Sequence, residues 1–327
     1  MRPIRFTRAA DEAAAIAAAA GPGAAFLGGG TTLLDLLKLD VIRSDELVDV
    51  RALPLARIEP IAGGGLRIGA LARNTDVAYA PAVREAWPLL SHAILAGASP
   101  QIRNMATVGG NLNQRTRCMY FRDVATPCNK REPGTGCAAL DGEHRNLAIL
   151  GVSDKCIASH PSDMNVALAA LDAVVHVHGP AGTRTIPIER FHREPGDHPE
   201  IDTALERGEL VTAIELPRSA FARHAHYLKV RDRASYSFAL VSVAAALELD
   251  GTTIRAARIA LGGVGTRPWR AHAAEAVLAG KALDPAVFQA AADTALEGAR
   301  PRKHNAFKVE LAKRSIVRAL ATAGGVA

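Results

Sequence analysis

Apolar and polar residues alternate along the chain in a sequence of short, distinct patterns. Alanines fill positions 9–20 and stop at Gly21-Pro22-Gly23, which predicts a helix closed by a turn. The apolar run at 24–27 predicts a strand, Gly28-Gly29-Gly30-Thr31-Thr32 a glycine turn, and the leucines at helical spacing over 33–39 a second helix. Residues 46–50 read as a strand, and 58–72 as a hairpin turning at 63–65. A helix is expected over 81–95, followed by a polar loop at 99–114.

Residues 115–156 break the pattern, with few apolar runs and several Gly and Pro. A structureless stretch this long inside a domain needs a function or a cross-link to hold it. Regular patterning returns as a helix at 161–171, a strand at 173–178, a turn-rich stretch at 179–199 and a strand at 209–216. Beyond a boundary near residue 220, three antiparallel strands are expected at 227–231, 239–249 and 254–262, with Asp250-Gly251 turning the last pair. Helices follow at 271–279, 285–298 and 305–322. The fold class is therefore α+β, with domains at 1–220 and 221–327.

The chain has 327 residues, of which 49% are hydrophobic, 22% charged and 4% aromatic, as in a globular protein whose core packs Ala, Leu, Val and Ile. The net charge of +6 is dispersed, with no basic strip interleaved with aromatics, so no nucleic-acid partner is expected. No apolar run reaches 18 residues, which argues against membrane insertion. Asp11 and Glu12 interrupt what would otherwise resemble a signal peptide. The expected compartment is the cytoplasm, or the periplasm if a signal-bearing partner carries the chain out. No Gly-x-Ser-x-Gly, His-Glu-x-x-His or Walker-type loop occurs, which disfavours hydrolase and nucleotide-triphosphatase chemistry. His176/His178 and His224/His226 alternate as strand pairs without a third ligand nearby and read as structural.

Consecutive glycines before a helix let backbone N–H groups approach an anion, and 28–32 has that form. A dinucleotide fingerprint is the competing reading: Gly28-x-Gly30 follows a strand, and Asp49 stands where a ribose carboxylate would lie. The third glycine position holds Leu33, which would obstruct the required helix–strand packing. Ala106-Thr107-Val108-Gly109-Gly110-Asn111-Leu112 forms a second polar glycine loop, so two loops could clamp one diphosphate.

The pairing of Leu27-Gly28-Gly29-Gly30-Thr31-Thr32-Leu33 with Ala106-Thr107-Val108-Gly109-Gly110-Asn111 resembles the FAD-binding domain of the xanthine dehydrogenase and molybdenum hydroxylase family. That resemblance extends over essentially the whole chain. It implies a two-subdomain, vanillyl-alcohol-oxidase-type (PCMH-like) FAD-binding domain followed by a small domain of three antiparallel strands plus helices. It implies FAD contacts at Phe26, Leu27, Gly28, Gly29, Gly30, Thr31, Thr32, Leu33, Thr107, Gly109, Gly110 and Asn111. The Ser162-Asp163 element matches the family's Ser-x-Asp segment and implies Asp163 as a cofactor partner; the later family positions fall on Ile214 and Lys229. Tyr236 follows Lys229 closely, and the sequence does not separate a flavin contact from core packing there.

All four cysteines, Cys118, Cys128, Cys137 and Cys156, fall in the irregular segment. Their gaps are wider than the close pairs of structural zinc sites, and disulfides fit poorly with a chain lacking an export signal. A loop wrapping an iron–sulfur cubane needs no fixed spacing. Spacing alone leaves cluster, zinc, disulfides and unrelated thiols open. The segment resembles the flavin subunits of bacterial three-subunit periplasmic aldehyde oxidoreductases, which implies a [4Fe–4S] cluster on the four cysteines in an insert at 115–157. Arg115, Arg117, Arg122, Lys130 and Arg131 against Asp123 fit an anionic cluster.

The same resemblance implies a heterotrimer. A large subunit with molybdopterin would oxidise an aldehyde or heterocycle, and a small subunit with two [2Fe–2S] clusters would relay electrons to FAD here and on to an external acceptor. Three alternatives are an independent FAD or NAD(P)H oxidoreductase, a flavin subunit like that of 4-hydroxybenzoyl-CoA reductase, and a non-catalytic iron–sulfur scaffold.

Overall fold

The computed structural model describes residues 3–326. Strands β1 (Arg5–Arg8), β2 (Ala24–Leu27) and β3 (Glu46–Asp49) form a parallel sheet in the order β1-β3-β2. Helices α1 (Glu12–Ala19) and α2 (Leu33–Lys38) connect them. Asp11 ends the N-terminal side of α1 by accepting from the Ala14 N–H, which is why the helix starts later than the alanine run predicts. Strand β1 was not expected, because its exposed edge position leaves no apolar alternation to read. The glycine turn falls at the carboxyl end of β2, the side on which open α/β sheets bind ligands.

The next strands are β4 (Ile58–Pro60) and β5 (Leu66–Gly69), followed by α3 (Asn74–Tyr79), α4 (Pro81–Ala86), α5 (Pro88–Ala96), α6 (Pro100–Met105) and α7 (Val108–Leu112). The single helix expected over 81–95 is two, because Pro88 starts α5 and Trp87 leaves the helical region at φ −132°. The expected polar loop at 99–114 holds α6 and α7, each capped by a hydroxyl: Ser99 accepts from Ile102 N–H and Thr107 from Gly110 N–H. Beyond α8 (Met119–Arg122) come α9 (Asp163–Ala170), β6 (Val174–Gly179), β7 (Gly182–Pro187), α10 (Ile188–Phe191) and β8 (Leu210–Leu216). The antiparallel sheet runs β4-β5-β8-β6-β7. Strand β7 lies in the stretch expected to be turns, since its exposed edge carries little apolar signal.

The last sheet contains β9 (Ala225–Val230), β10 (Val241–Asp250), β11 (Thr253–Gly262) and β12 (Trp269–Arg270), in the order β12-β11-β10-β9. The expected three strands are thus joined by a fourth of two residues. Helices α11 (His272–Leu278), α12 (Pro285–Ala295) and α13 (Phe307–Gly324) cover one face, against Val243, Ala245 and Leu247. The other face presents Ala244, Ala246 and Ala260 to the core that contains α5 and α9. Small side chains on that face let the two helices approach the sheet closely, so β9 comes up against the helix ends that border the site. No helix among the described residues is long and apolar enough to cross a membrane.

Candidate functional site

The two glycine loops touch. A Cβ on Gly29 would lie 1.9 Å from the Met105 carbonyl oxygen, and one on Gly28 would lie 3.0 Å from Thr107 Oγ1. Gly30 takes φ +72°, a left-handed turn open to glycine at little cost. The backbone N–H groups of Gly29, Gly30, Thr31 and Thr32 have no acceptor within the described residues. They form a row of donors at the start of α2, suited to an anion.

Asp163, the first residue of α9, is 9% exposed and fully engaged. Tyr227 Oη donates to its Oδ1 at 2.7 Å, and Lys229 Nζ donates to its Oδ2 at 2.8 Å and to the Ala96 carbonyl at 3.1 Å. Tyr227 and Lys229 share one face of β9 because their spacing is two. Burial first, and then the Asp163 charge, push the Tyr227 phenol well above its ordinary value, so it remains a donor. The second loop is tied to the same place: Ser162 Oγ donates to Asn111 Oδ1 at 2.7 Å and accepts from Asn165 N–H at 3.1 Å.

Two cavities meet at these loops, one of about 600 Å³ and one of about 690 Å³, and Thr31, Thr32, Gly110 and Gln114 line both. The first also takes Phe26, Gly28, Gly29, Gly30, Leu33, Thr107 and Gly109. The second takes Asn111, Asp163, Lys229 and Tyr236. Leu27 and Ile214 line neither. Leu27 packs on Leu37 and Leu47, and Ile214 is fully buried on β8 in the main core. Asp49 is bound by its neighbour Arg51 at 2.8 and 2.9 Å, which leaves it no part in the groove. Sequence reasoning missed Tyr227, Ser162 as a tie to Asn111, and Asp35. Only the i, i+2 spacing of Tyr227 with Lys229 carried a signal.

The cysteine-bearing segment gathers its thiols. Cys118, Cys128 and Cys156 are buried, and Cys137 half-buried, in one apolar cluster with Phe121, Leu147 and Ile157. Cys128 and Cys137 pair as an antiparallel bridge, and all four are free thiols. Burial pushes the Cys118 thiol up to about 12 and the Cys156 thiol up to about 11. The backbone N–H of Ala158 donates to Cys156 Sγ at 3.5 Å. Among the described residues no three metal-binding side chains converge tightly enough for a single ion. The basic residues differ from expectation. Arg117 and Arg122 bind Asp35, Arg115 and Lys130 bind Asp202, and Arg131 donates to the carbonyls of Tyr120 and Phe121. Acids outside the segment thus take up most of the charge, because they are remote in sequence and adjacent in space. Lys130 acts on the Cys156 thiol.

Comparison with known proteins accords with this geometry. Residues 3–219 match the FAD binding domain in molybdopterin dehydrogenase, and residues 226–323 the CO dehydrogenase flavoprotein C-terminal domain. The chain is 53% identical to the aldehyde oxidoreductase FAD-binding subunit of Escherichia coli, over 95% of this chain and 94% of that one. It is 30% identical to the glyceraldehyde dehydrogenase medium chain of Sulfolobus acidocaldarius, over 79% of this chain and 74% of that one. The carbon monoxide dehydrogenase structure from Hydrogenophaga pseudoflava superposes with a TM-score of 0.78 at 26% identity, covering 99% of this chain and 98% of that one.

Proposed function

Because the chain belongs to the family of FAD-binding subunits of molybdenum hydroxylases, we propose that it is the electron-exit subunit of a heterotrimeric aldehyde oxidoreductase. Its partners are a large molybdopterin subunit and a small [2Fe–2S] subunit, and an external acceptor takes the electrons. The observation that carries the reading is the row of free N–H groups at Gly29–Thr32, set against the Thr107–Asn111 loop between two cavities. The likeness to the Escherichia coli aldehyde oxidoreductase subunit supports the substrate class.

Bound FAD would supply the chemistry of accepting electrons singly and releasing them in pairs. The chain's residues do the rest. Gly29–Thr32 and Thr107–Asn111 would hold its diphosphate, and Asp163 and Lys229 line the larger cavity. The smaller parallel sheet, the larger antiparallel sheet and the C-terminal sheet support the two-subdomain, vanillyl-alcohol-oxidase-type reading with a boundary near residue 220.

The four gathered free thiols support a [4Fe–4S] cluster on Cys118, Cys128, Cys137 and Cys156. Thiols so buried lose their protons only with a strong positive centre beside them, and the Ala158 N–H on the Cys156 sulfur suits a cluster ligand. A cubane spreads its thiolates wider than one ion does. The test is purification of the co-expressed complex with flavin, iron and molybdenum analysis. Flavin bound to this subunit, and aldehyde oxidation only with all three subunits, is the expected result. Aldehyde oxidation by this chain alone, or a flavin-free complex, overturns the reading.

A further inference from the structure

The larger cavity has an unbalanced wall. Lys229 and Asp163 neutralise each other, leaving Arg103, Arg117, Arg122 and Arg233 against the single carboxylate of Asp35. Arg117 and Arg122 share that carboxylate at 3.0 and 2.7 Å. Arg117 Nε and Arg122 Nη1 are buried without a hydrogen-bond partner. At the rim stand two exposed aromatics, Tyr236 (58%) and Phe238 (49%), on the β9–β10 connection. The Arg233 guanidinium lies 5.7 Å from the Tyr236 ring centroid, and that of Arg117 lies 5.2 Å from the Phe238 ring. Tyr236 takes φ +51°, a conformation unfavourable for a tyrosine, and Arg233 Nε holds its carbonyl at 3.1 Å.

We propose that this rim is the docking site for a small anionic electron acceptor, received by Arg233, Arg117 and Arg122 and flanked by Tyr236 and Phe238. The proposal rests on the flavin reading above and names the class of acceptor that reading leaves open. A cationic mouth with low-dielectric walls concentrates anions and raises their encounter rate. Each one-electron acceptor ion would gain one electron, so two ions would take the pair that a bound, fully reduced flavin supplies, with its protons released to water. The same positive charge would also suit the cofactor's own diphosphate, and the experiment separates the two.

Hexacyanocobaltate(III), a trianion that does not exchange electrons, is titrated calorimetrically into the assembled, flavin-loaded complex. Binding is expected to weaken as salt rises, to weaken about five-fold in Arg233→Gln, whose side chain is exposed, and to tighten in Asp35→Asn. In parallel, the chemically reduced complex is reoxidised by ferricyanide or by uncharged benzoquinone, and Arg233→Gln should slow only the anion. Equal affinity in wild type and Arg233→Gln, absence of binding at low salt, or equal slowing with both acceptors overturns the proposal. Flavin loss from Arg233→Gln at unchanged anion affinity assigns the charge to the cofactor and also overturns it. A wild-type complex without flavin would instead defeat the underlying flavin reading.

Discussion

The carbonyl oxygen of Met105 occupies the space that a side chain on Gly29 would need: an ideal Cβ there lies 1.9 Å away. The glycine serves the close approach of two loops as much as any ligand. Gly29→Ala is therefore expected to push the loops apart, at about 1–3 kcal/mol for overpacking, and to release FAD. Gly28→Ala, whose Cβ meets the Thr107 hydroxyl at 3.0 Å and the Leu71 side chain at an ordinary 3.8 Å, should cost less. Flavin absorbance after gel filtration and the thermal midpoint check both. Full FAD occupancy in Gly29→Ala would refute the two-loop clamp.

Asp163 joins the N-terminal region to β9 through Tyr227 and Lys229. Lys229→Met strands a buried carboxylate and should destabilise by about 3–5 kcal/mol. Tyr227→Phe removes one hydrogen bond to a charged group, about 1.5–3 kcal/mol. Urea denaturation of the complex gives both values. A smaller loss for Lys229→Met than for Tyr227→Phe would contradict the ion-pair account.

His192 is buried, and its Nε2 donates to the Leu112 carbonyl at 2.9 Å. Burial pushes its pKa from the ordinary 6.5 down to about 4, against the smaller opposing effect of that hydrogen bond. The unfolded chain therefore binds a proton below pH 6.5 that the folded chain refuses until about pH 4. Stability should be unaffected by this group above pH 6.5, fall between 6.5 and 4, and level off below. The loss is on the order of 1–3 kcal/mol. His192→Gln should flatten that part of the slope, read from urea midpoints across the window. An unchanged slope would show that other groups set it.

Cys137→Ser should lose about four irons per complex and loosen the segment, while flavin stays bound. Iron analysis and low-temperature electron paramagnetic resonance read the first effect, and flavin absorbance the second. Zinc in the wild-type complex would remove the cluster assignment and leave the flavin assignment standing.

The sequence by itself determined the elements whose signals are local. Apolar runs gave β2 and β10, the hydroxyl–glycine pattern marked both loops, and four cysteines in one window marked the segment that gathers them. Tertiary structure decided what depends on neighbours distant in the chain. Strands β1 and β7 lie at exposed sheet edges, where pairing rather than alternation defines a strand. The partners of Arg117 and Lys130, Asp35 and Asp202, lie 82 and 72 positions away, so the charge balance of the segment was unreadable from its own composition. Ile214 is an apolar residue near the end of a strand, and the packing of β8 between β5 and β6 puts it in the core. Tyr227 reaches Asp163 across 64 positions because an alanine-lined face of the last sheet lets α9 come close, and that proximity is a property of packing.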